Sequence, residues 1–158
     1  MRVIVMGVSG SGKSTIGRLL AEALRVPFAD GDDFHPPKNI EKMRSGVPLT
    51  EADRLPWLER LAEELTHSPG LVLACSALSA HSRRLLRSAN AGFVFLDGEF
   101  GLIQARLQRR SGHFFDSNLL RTQFEALERP KHAMVVRIDR PPEAIVDEII
   151  HRLAELPS

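Results

Sequence analysis

Residues 2–15 of the chain read RVIVMGVSGSGKST, and this segment sets the fold class. Its first part, residues 2–8, is a short apolar run rich in β-branched side chains that stops in a cluster of glycines and serines. Such a run, bounded by turn residues, predicts a buried strand. From Lys13 onward the apolar residues recur with helical spacing, at Ile16, Leu19, Leu20, Ala23 and Leu24. The segment therefore predicts a strand, a glycine-rich turn and an amphipathic helix.

The turn carries GVSGSGKS, residues 7–14, which fits the P-loop pattern G-x-x-x-x-G-K-[ST]. Glycines let backbone N–H groups turn inward around phosphate oxygens, and the following helix points its positive N-terminus at the anion. Lys13 can reach the β- and γ-phosphates, and the Ser14 hydroxyl can bind Mg²⁺. A purely structural Gly/Ser turn is disfavoured by the strand and helix on either side. We expect a nucleoside triphosphate to be bound by Gly7, Val8, Ser9, Gly10, Ser11, Gly12, Lys13, Ser14 and Thr15.

The rest of the chain alternates apolar strands with amphipathic helices, which predicts βαβ crossovers and a parallel sheet covered on both faces. Further strands are predicted at 27–30, 71–75, 93–96 and 134–138, and helices at 51–66, 79–87, 100–110, 118–127 and from Pro141 onward. Two segments, 35–48 and 111–117, are predicted to be irregular. We expect residues 1–158 to form one three-layer α/β domain with two mobile flaps.

Composition excludes several classes of protein. The 158 residues are 43% hydrophobic and 26% charged, which is typical of a globular chain. Lys plus Arg total 21 and Asp plus Glu total 20, so no nucleic-acid or membrane-surface partner is expected. No apolar run approaches the roughly 18 residues of a membrane span. The single cysteine, Cys75, allows no internal disulfide and favours a cytoplasmic location.

The second predicted strand ends in the acidic cluster Asp30-Gly31-Asp32-Asp33. Asp30 and Asp32 point the same way because side chains alternate along a strand. In phosphoryl transfer, one carboxylate accepts the proton of the attacking hydroxyl and another helps to hold Mg²⁺. We assign the first role to Asp32 and the second to Asp30. The alternative, a solvated acidic turn, is disfavoured by the P-loop upstream.

Further motifs follow in order along the chain: DGDDFHP at 30–36, NIEKM at 39–43, SGVPL at 45–49, DR at 53–54, PWL at 56–58, ACSAL at 74–78, GHFF at 112–115 and QF at 123–124. Together with the P-loop they resemble the gluconate kinases from residue 3 to about residue 150. The resemblance implies an ATP-dependent kinase that converts D-gluconate to 6-phosphogluconate. It also implies the three-layer α/β fold of P-loop kinases such as the shikimate and adenylate kinases, a five-stranded parallel sheet of order 2-3-1-4-5, and a homodimer.

The acceptor site is expected on a substrate flap at about residues 35–58. Gluconate carries a carboxylate, which Arg54 can grip bidentately and for which Lys42 offers a point charge. His35 can donate to hydroxyls or to the carboxylate, and the resemblance adds Arg83 to this set. Two alternatives stay open, namely a salt bridge of Arg54 with Asp53 or Glu51 and a loop-holding role for His35.

A lid is expected at about residues 106–118. Arg106 and Arg110 lie four residues apart on one helix face, just before the GHFF motif. A kinase lid brings cations onto the phosphates and excludes water when it closes. The resemblance supports Arg106 and Arg110 in that catalytic role beside Lys13 and Asp32.

The chain departs from the family pattern at two places. Ser79 and Ser82 stand where the family usually carries Lys and Tyr, and Ser79 is instead a suitable helix N-cap. The segment after Pro130 is shorter than in the family, near where the adenine lies in the related fold. Another acceptor, such as shikimate, a nucleoside monophosphate or another aldonate, is therefore the alternative substrate.

From a different class, a non-catalytic nucleotide sensor or switch is the alternative function, although the GTPase motifs Asn-Lys-x-Asp and Asp-x-x-Gly are not present.

Overall fold

A parallel sheet forms the centre of the molecule. The computed structural model describes residues 1–87, 89–111 and 117–156, with Ser111 described by its backbone alone. The strands are β1 (Arg2–Met6), β2 (Phe28–Asp30), β3 (Leu71–Ala74), β4 (Gly92–Asp97) and β5 (Met134–Arg137). They pair in the order β2-β3-β1-β4-β5, which confirms the predicted topology. Each strand lies within one or two residues of its predicted position.

Helices connect the strands. In the described part of the chain they are α1 (Lys13–Leu24), α2 (Pro37–Arg44), α3 (Glu51–His67), α4 (Ala80–Arg87), α5 (Phe100–Ser111), α6 (Asn118–Ala126) and α7 (Pro142–Ala154). A short 3-10 helix, Gly31–Phe34, follows β2 directly. None of the helices in the described segments has the length and apolar character needed to cross a lipid bilayer.

Strand β1 divides the core into two layers because successive side chains point to opposite faces of the sheet. Val3 and Val5 belong to a cluster with Ile16 and Leu20 of α1, Ile103 of α5, Leu120 of α6, and Ile145 and Ile149 of α7. Ile4 and Met6 belong to a second cluster with Leu58, Leu61 and Leu65 of α3 and Leu86 of α4. Helices therefore cover both faces, as the three-layer prediction requires.

The prediction of an irregular segment at 35–48 was wrong, because α2 lies within it. Consecutive prolines suggested a loop, but Pro36 stands at the N-cap of α2 and Pro37 at its first turn. Proline is well suited to that turn, where its missing N–H would have no partner within the helix. The predicted flap thus consists of a short helix followed by the start of α3. Residues 112–116, in the second segment predicted to be irregular, lie outside the described residues.

Replacement of Leu61 tests the α3 layer of the core. Leu61 is completely buried, whereas Leu55 on the same helix is 41% exposed. We expect Leu61→Ala to lower the free energy of unfolding by about 2–5 kcal/mol, because it removes buried methyl groups and leaves a cavity. The matched control Leu55→Ala should change it by less than about 0.5 kcal/mol. Urea unfolding followed by circular dichroism measures both, and equal losses would contradict the packing described here.

Candidate active site

The P-loop is shaped by glycines in the left-handed backbone region. Gly10 has φ +79° and Gly12 has φ +97°. A Cβ atom on Gly10 would also lie 2.7 Å from Cγ of Leu107, because α5 packs directly against the loop. Glycine is therefore required at position 10 for both conformation and space. Helix α1 begins at Lys13 and directs its N-terminus at the loop, as an anion site requires.

The Lys13 side chain folds back over the P-loop, where its Nζ donates a hydrogen bond of 3.0 Å to the Val8 carbonyl oxygen. Burial lowers the pKa of Lys13, and the negative charges of Asp32 and Asp30 act in the opposite direction. The ammonium therefore lies within electrostatic range of both carboxylates. Cys75, the residue after β3, is buried nearby, and burial raises the pKa of its thiol to about 12.

Ser14 and Asp30 are in direct contact, as expected of a shared Mg²⁺ site. The Ser14 hydroxyl donates to Oδ2 of Asp30 at 3.0 Å. Oδ1 of Asp30 accepts from the backbone N–H of Asp32, also at 3.0 Å, so Asp30 caps the 3-10 helix Gly31–Phe34. These contacts hold the Asp30 carboxylate beside the end of the P-loop, and oxygen is the ligand type that Mg²⁺ prefers.

Asp32 differs from Asp30 in its surroundings. Its side chain is exposed, and its carboxylate makes no hydrogen bond to any residue within the described segments. Its negative charge opposes the burial that lowers the pKa of Lys13 and that of His35. Asp32 therefore lies within electrostatic range of both the P-loop lysine and the flap histidine, with its carboxylate oxygens available to a substrate.

The flap is joined to the sheet edge through aromatic side chains. The rings of His35 and Trp57 stack with centroids 4.2 Å apart and an angle of 14° between their planes. The Trp57 indole N–H donates to the Gly31 carbonyl oxygen at 2.7 Å. Burial lowers the pKa of His35, and the Arg54 charge lowers it further. Asp32, His35 and Arg54 thus lie within electrostatic range at the end of β2.

Lys42 is engaged within the flap itself. Its Nζ lies 2.6 Å from Oδ2 of Asp53, and the same oxygen accepts from the backbone N–H of Thr50. Thr50 and Asp53 form a capping box at the start of α3. Arg54 forms no salt bridge with Asp53, Glu51 or any other acidic residue in the described part of the chain, so its charge is available to a ligand.

Arg106 and Arg110 border the P-loop from α5. With residues 10–12, Arg140 and Pro142 they line a cavity of about 270 Å³. The Arg106 guanidinium donates to the Ile138 carbonyl oxygen, which fixes its stem against the end of β5. The structure thus brings both predicted lid arginines, Arg106 and Arg110, next to the P-loop. The GHFF motif, at the centre of the predicted lid, lies outside the described residues.

The chain is similar to known small-molecule kinases. The family model described as Shikimate kinase matches residues 9–154. The thermosensitive gluconokinase of Escherichia coli K12 is 50% identical over 145 residues, an alignment that covers 86% of this chain and 77% of that relative. The chain belongs to the gluconokinase family. The thermoresistant gluconokinase of the same organism is 46% identical and covers 93% of this chain, which spans 90% of that protein. A solved gluconokinase structure from Sinorhizobium meliloti superposes with a TM-score of 0.91 at 44% identity, covering 97% of this chain and 91% of the other.

Arg83 holds together two loops of the gluconokinase fold. This arginine is buried and donates to the carbonyl oxygens of Ala77, Leu78 and Glu128, at 2.8, 3.0 and 2.6 Å. Burial lowers its pKa. Arg83 therefore joins the loop after β3 to the segment after α6, a structural role that sequence reasoning did not predict.

Ser79 and Ser82, two positions at which we expect the chain to depart from the family pattern, bond to each other. The Ser79 hydroxyl accepts from the backbone N–H of Ser82 at 3.1 Å, so Ser79 caps α4 as predicted. The Ser82 hydroxyl donates to the Ser79 carbonyl oxygen at 2.7 Å. The hydroxyl groups of both serines are thus satisfied locally.

Gln123 on α6 holds the P-loop and was not predicted as a functional residue. Its Oε1 accepts from the Ser9 backbone N–H at 2.6 Å, and its Nε2 donates to the Ser9 hydroxyl at 2.9 Å. The two residues are 114 positions apart, so no local pattern relates them. The QF motif at 123–124 was the only signal in the sequence.

The Asp53 contacts predict a pH-dependent stability. They lower the pKa of Asp53 from 3.8 to about 2, chiefly through the hydrogen bond from Lys42. A carboxyl group whose pKa is lower in the folded than in the unfolded state stabilises the protein at pH values above its unfolded-state pKa. This stabilisation is lost as the pH falls through the folded-state pKa. We expect Asp53→Asn to lower Tm near pH 7, and the difference from wild type to shrink as pH falls from 3.8 to about 2.

Thermal unfolding across that pH range measures the effect. Glu51→Gln, which removes an exposed carboxylate from the same helical turn, is the control. A Tm difference for Asp53→Asn that did not vary with pH would contradict the assigned ion pair.

Proposed function

We propose that the chain transfers the γ-phosphoryl group of ATP to the 6-hydroxyl of D-gluconate. The observation that carries the proposal is the place of Asp32, which acts electrostatically on Lys13 of the phosphate cradle and on His35 of the flap. A base between a nucleotide site and an acceptor site is what a small-molecule kinase needs. The gluconokinase relatives supply the identity of the acceptor.

The reaction follows from these positions. The gluconate 6-hydroxyl oxygen forms a bond to the γ-phosphorus while the bond from that phosphorus to the β,γ-bridging oxygen breaks. Asp32 accepts the hydroxyl proton, and ADP carries away the electron pair of the broken bond. Lys13, Arg106 and Arg110 offset the negative charge that spreads over the phosphoryl oxygens, which is the main contribution of such enzymes.

Mg²⁺ fits the contact between Ser14 and Asp30. The two oxygens are adjacent, and Mg²⁺ is usually held by one or two protein groups plus substrate phosphates and water. Larger clusters of three or more His, Cys, Asp or Glu side chains that could hold a metal are not found among the described residues. When bound, the ion would neutralise charge on the β- and γ-phosphates.

The nucleotide is proposed to lie along α1 and α5. Backbone N–H groups of residues 7–15 would bind the phosphates, since the loop is open to them through its glycines. The cavity beside residues 10–12 continues to Arg140 and Pro142, which gives the nucleoside a place at the start of α7.

For the acceptor, Arg54 is the proposed carboxylate ligand because its guanidinium is exposed and forms no salt bridge within the described segments. Lys42 shares its charge with Asp53, and Arg83 donates to three carbonyl groups. Direct binding of gluconate by these two residues, and by His35, stays a prediction. The homodimer and the cytoplasmic location stay predictions in the same way.

Ser79 and Ser82 supply neither a cation nor an aromatic hydroxyl. This favours one alternative, a kinase that acts on a related aldonate. The two serines bond to each other and offer no fixed charge to the acceptor. The specificity of the enzyme therefore depends on the flap residues.

ADP release measured across gluconate, other aldonates, shikimate and nucleoside monophosphates tests the proposed function. We expect gluconate to give the highest kcat/KM. Lys13→Ala should lower kcat with gluconate by at least about 100-fold, since it removes the cation on the β- and γ-phosphates. Asp32→Asn, which keeps the side-chain shape without a basic oxygen, is the second variant and should be similarly impaired. Faster phosphorylation of another acceptor, or normal turnover in both variants, would contradict the proposal.

Arg54→Ala tests the acceptor side. Loss of a cation that faces a carboxylate in a closed site costs about 2–5 kcal/mol, so the gluconate KM should rise more than tenfold while the ATP KM stays unchanged. The matched control is Arg84→Ala, which removes an exposed arginine from α4. Steady-state kinetics with each substrate varied in turn separates the two constants. A rise in the ATP KM alone would place Arg54 on the phosphate side.

A further inference from the structure

The Asn39 side-chain amide has a fixed orientation inside the flap. One atom, Nδ2, lies 2.9 Å from the Asp53 carbonyl oxygen and 3.2 Å from Nδ1 of His35. A backbone carbonyl only accepts hydrogen bonds, so the atom facing it must be the NH₂ group of the amide. If the amide were flipped, Oδ1 of Asn39 would face the carbonyl oxygen of Asp53, and neither atom could donate a hydrogen bond. Asn39 is completely buried, so water does not replace these contacts.

This orientation decides where the His35 ring carries its proton. The Asn39 NH₂ group has two hydrogens, one for the Asp53 carbonyl and one for Nδ1 of His35. Nδ1 must therefore present a lone pair, which leaves the proton on Nε2. An imidazolium, with a proton on both nitrogens, would set an N–H against the Asn39 amide hydrogens. The contact is compatible only with the neutral ring.

The rest of the His35 environment agrees with a neutral, immobile ring. The ring stacks on Trp57 and is buried. The charged groups that act on it are Asp32 from the 3-10 helix and Arg54 from α3. Burial is the largest influence and lowers the pKa of His35; the negative charge of Asp32 acts in the opposite direction, and the positive charge of Arg54 adds a smaller lowering.

We propose that Asn39 is a positioning residue that holds His35 as the neutral Nε2–H tautomer, so that His35 serves the acceptor as a hydrogen-bond donor. The single lone pair of the ring is then occupied by Asn39, and His35 cannot accept the proton of the attacking hydroxyl. Asp32 is left as the base. The choice of gluconate as acceptor rests on the proposed function, whereas the tautomer does not.

Nitrogen-15 NMR of protein labelled at histidine tests the tautomer directly. The His35 signals are assigned by their loss in His35→Gln. We expect the neutral Nε2–H pattern near pH 7 in the wild-type protein, and a shift to an Nδ1–H or imidazolium pattern in Asn39→Asp, whose side chain offers only acceptors when ionised. An Nδ1–H or imidazolium pattern in the wild type overturns the proposal, whether or not Asn39→Asp folds.

A matched pair of variants tests the donor role. In His35→Gln the side-chain amide nitrogen of the glutamine reaches the position of the histidine Nε2. In His35→Asn the shorter asparagine side chain places its amide nitrogen only at the position of the histidine Nδ1. We expect His35→Gln to keep the gluconate KM within about threefold of wild type and His35→Asn to raise it at least about tenfold, since an unpaired polar group is left in the closed site. The ATP KM should be unchanged in both.

Equal effects of the two variants on the acceptor KM overturn the donor role. If the wild-type enzyme prefers another acceptor, the proposed function fails, and the same pair is measured with that acceptor. The NMR result is unaffected by this outcome, so the two failures are distinguishable.

Discussion

The position of β1 between β3 and β4 is the constraint on which the site depends. Both neighbours run parallel to it, so the chain leaves all three strands at one edge of the sheet. The Gly7 N–H donates to the Ser76 carbonyl oxygen, which joins the start of the P-loop to the loop after β3. The P-loop therefore lies between two other strand ends, and β2 brings Asp30 to the same edge. Ligand sites in open α/β sheets form there for this reason.

The flap is held by directed polar contacts more than by apolar packing. Asp53 makes three of these contacts: it forms the capping box of α3 with Thr50, it pairs with Lys42, and its backbone carbonyl accepts a hydrogen bond from Asn39. Trp57 then joins the assembly to Gly31 at the end of β2. Such contacts fix orientation closely, which suits a segment that must present a histidine and an arginine to a small polar acceptor.

Much of the fold and of the nucleotide site could be predicted from the sequence because the signals were local. The P-loop lies within eight consecutive residues, and Ser14 and Asp30 meet because each is next to the end of a strand or the start of a helix. Helix α2 was missed because Pro36 and Pro37 resemble a loop until they are seen to begin a helix. The partner of Asp53 was not predicted, since the sequence left open a salt bridge of Asp53 with Arg54, and in the structure Asp53 pairs with Lys42 of α2 instead. Contacts between distant segments, such as that of Gln123 with Ser9, follow no spacing in the sequence, and the QF motif did not indicate the partner of Gln123.

The Cys75 thiol is protected from chemical modification in the folded protein. The thiolate is the form that reacts with oxidants and alkylating agents. Burial raises the pKa of the Cys75 thiol to about 12, which favours the protonated thiol at neutral pH, and the sulfur is shielded from solvent as well. Cys75 is the only cysteine in the sequence, so peroxide and electrophiles meet no exposed thiol in the folded protein. A thiol reagent could reach Cys75 only if the end of β3 opened, so labelling of this residue would report such an opening.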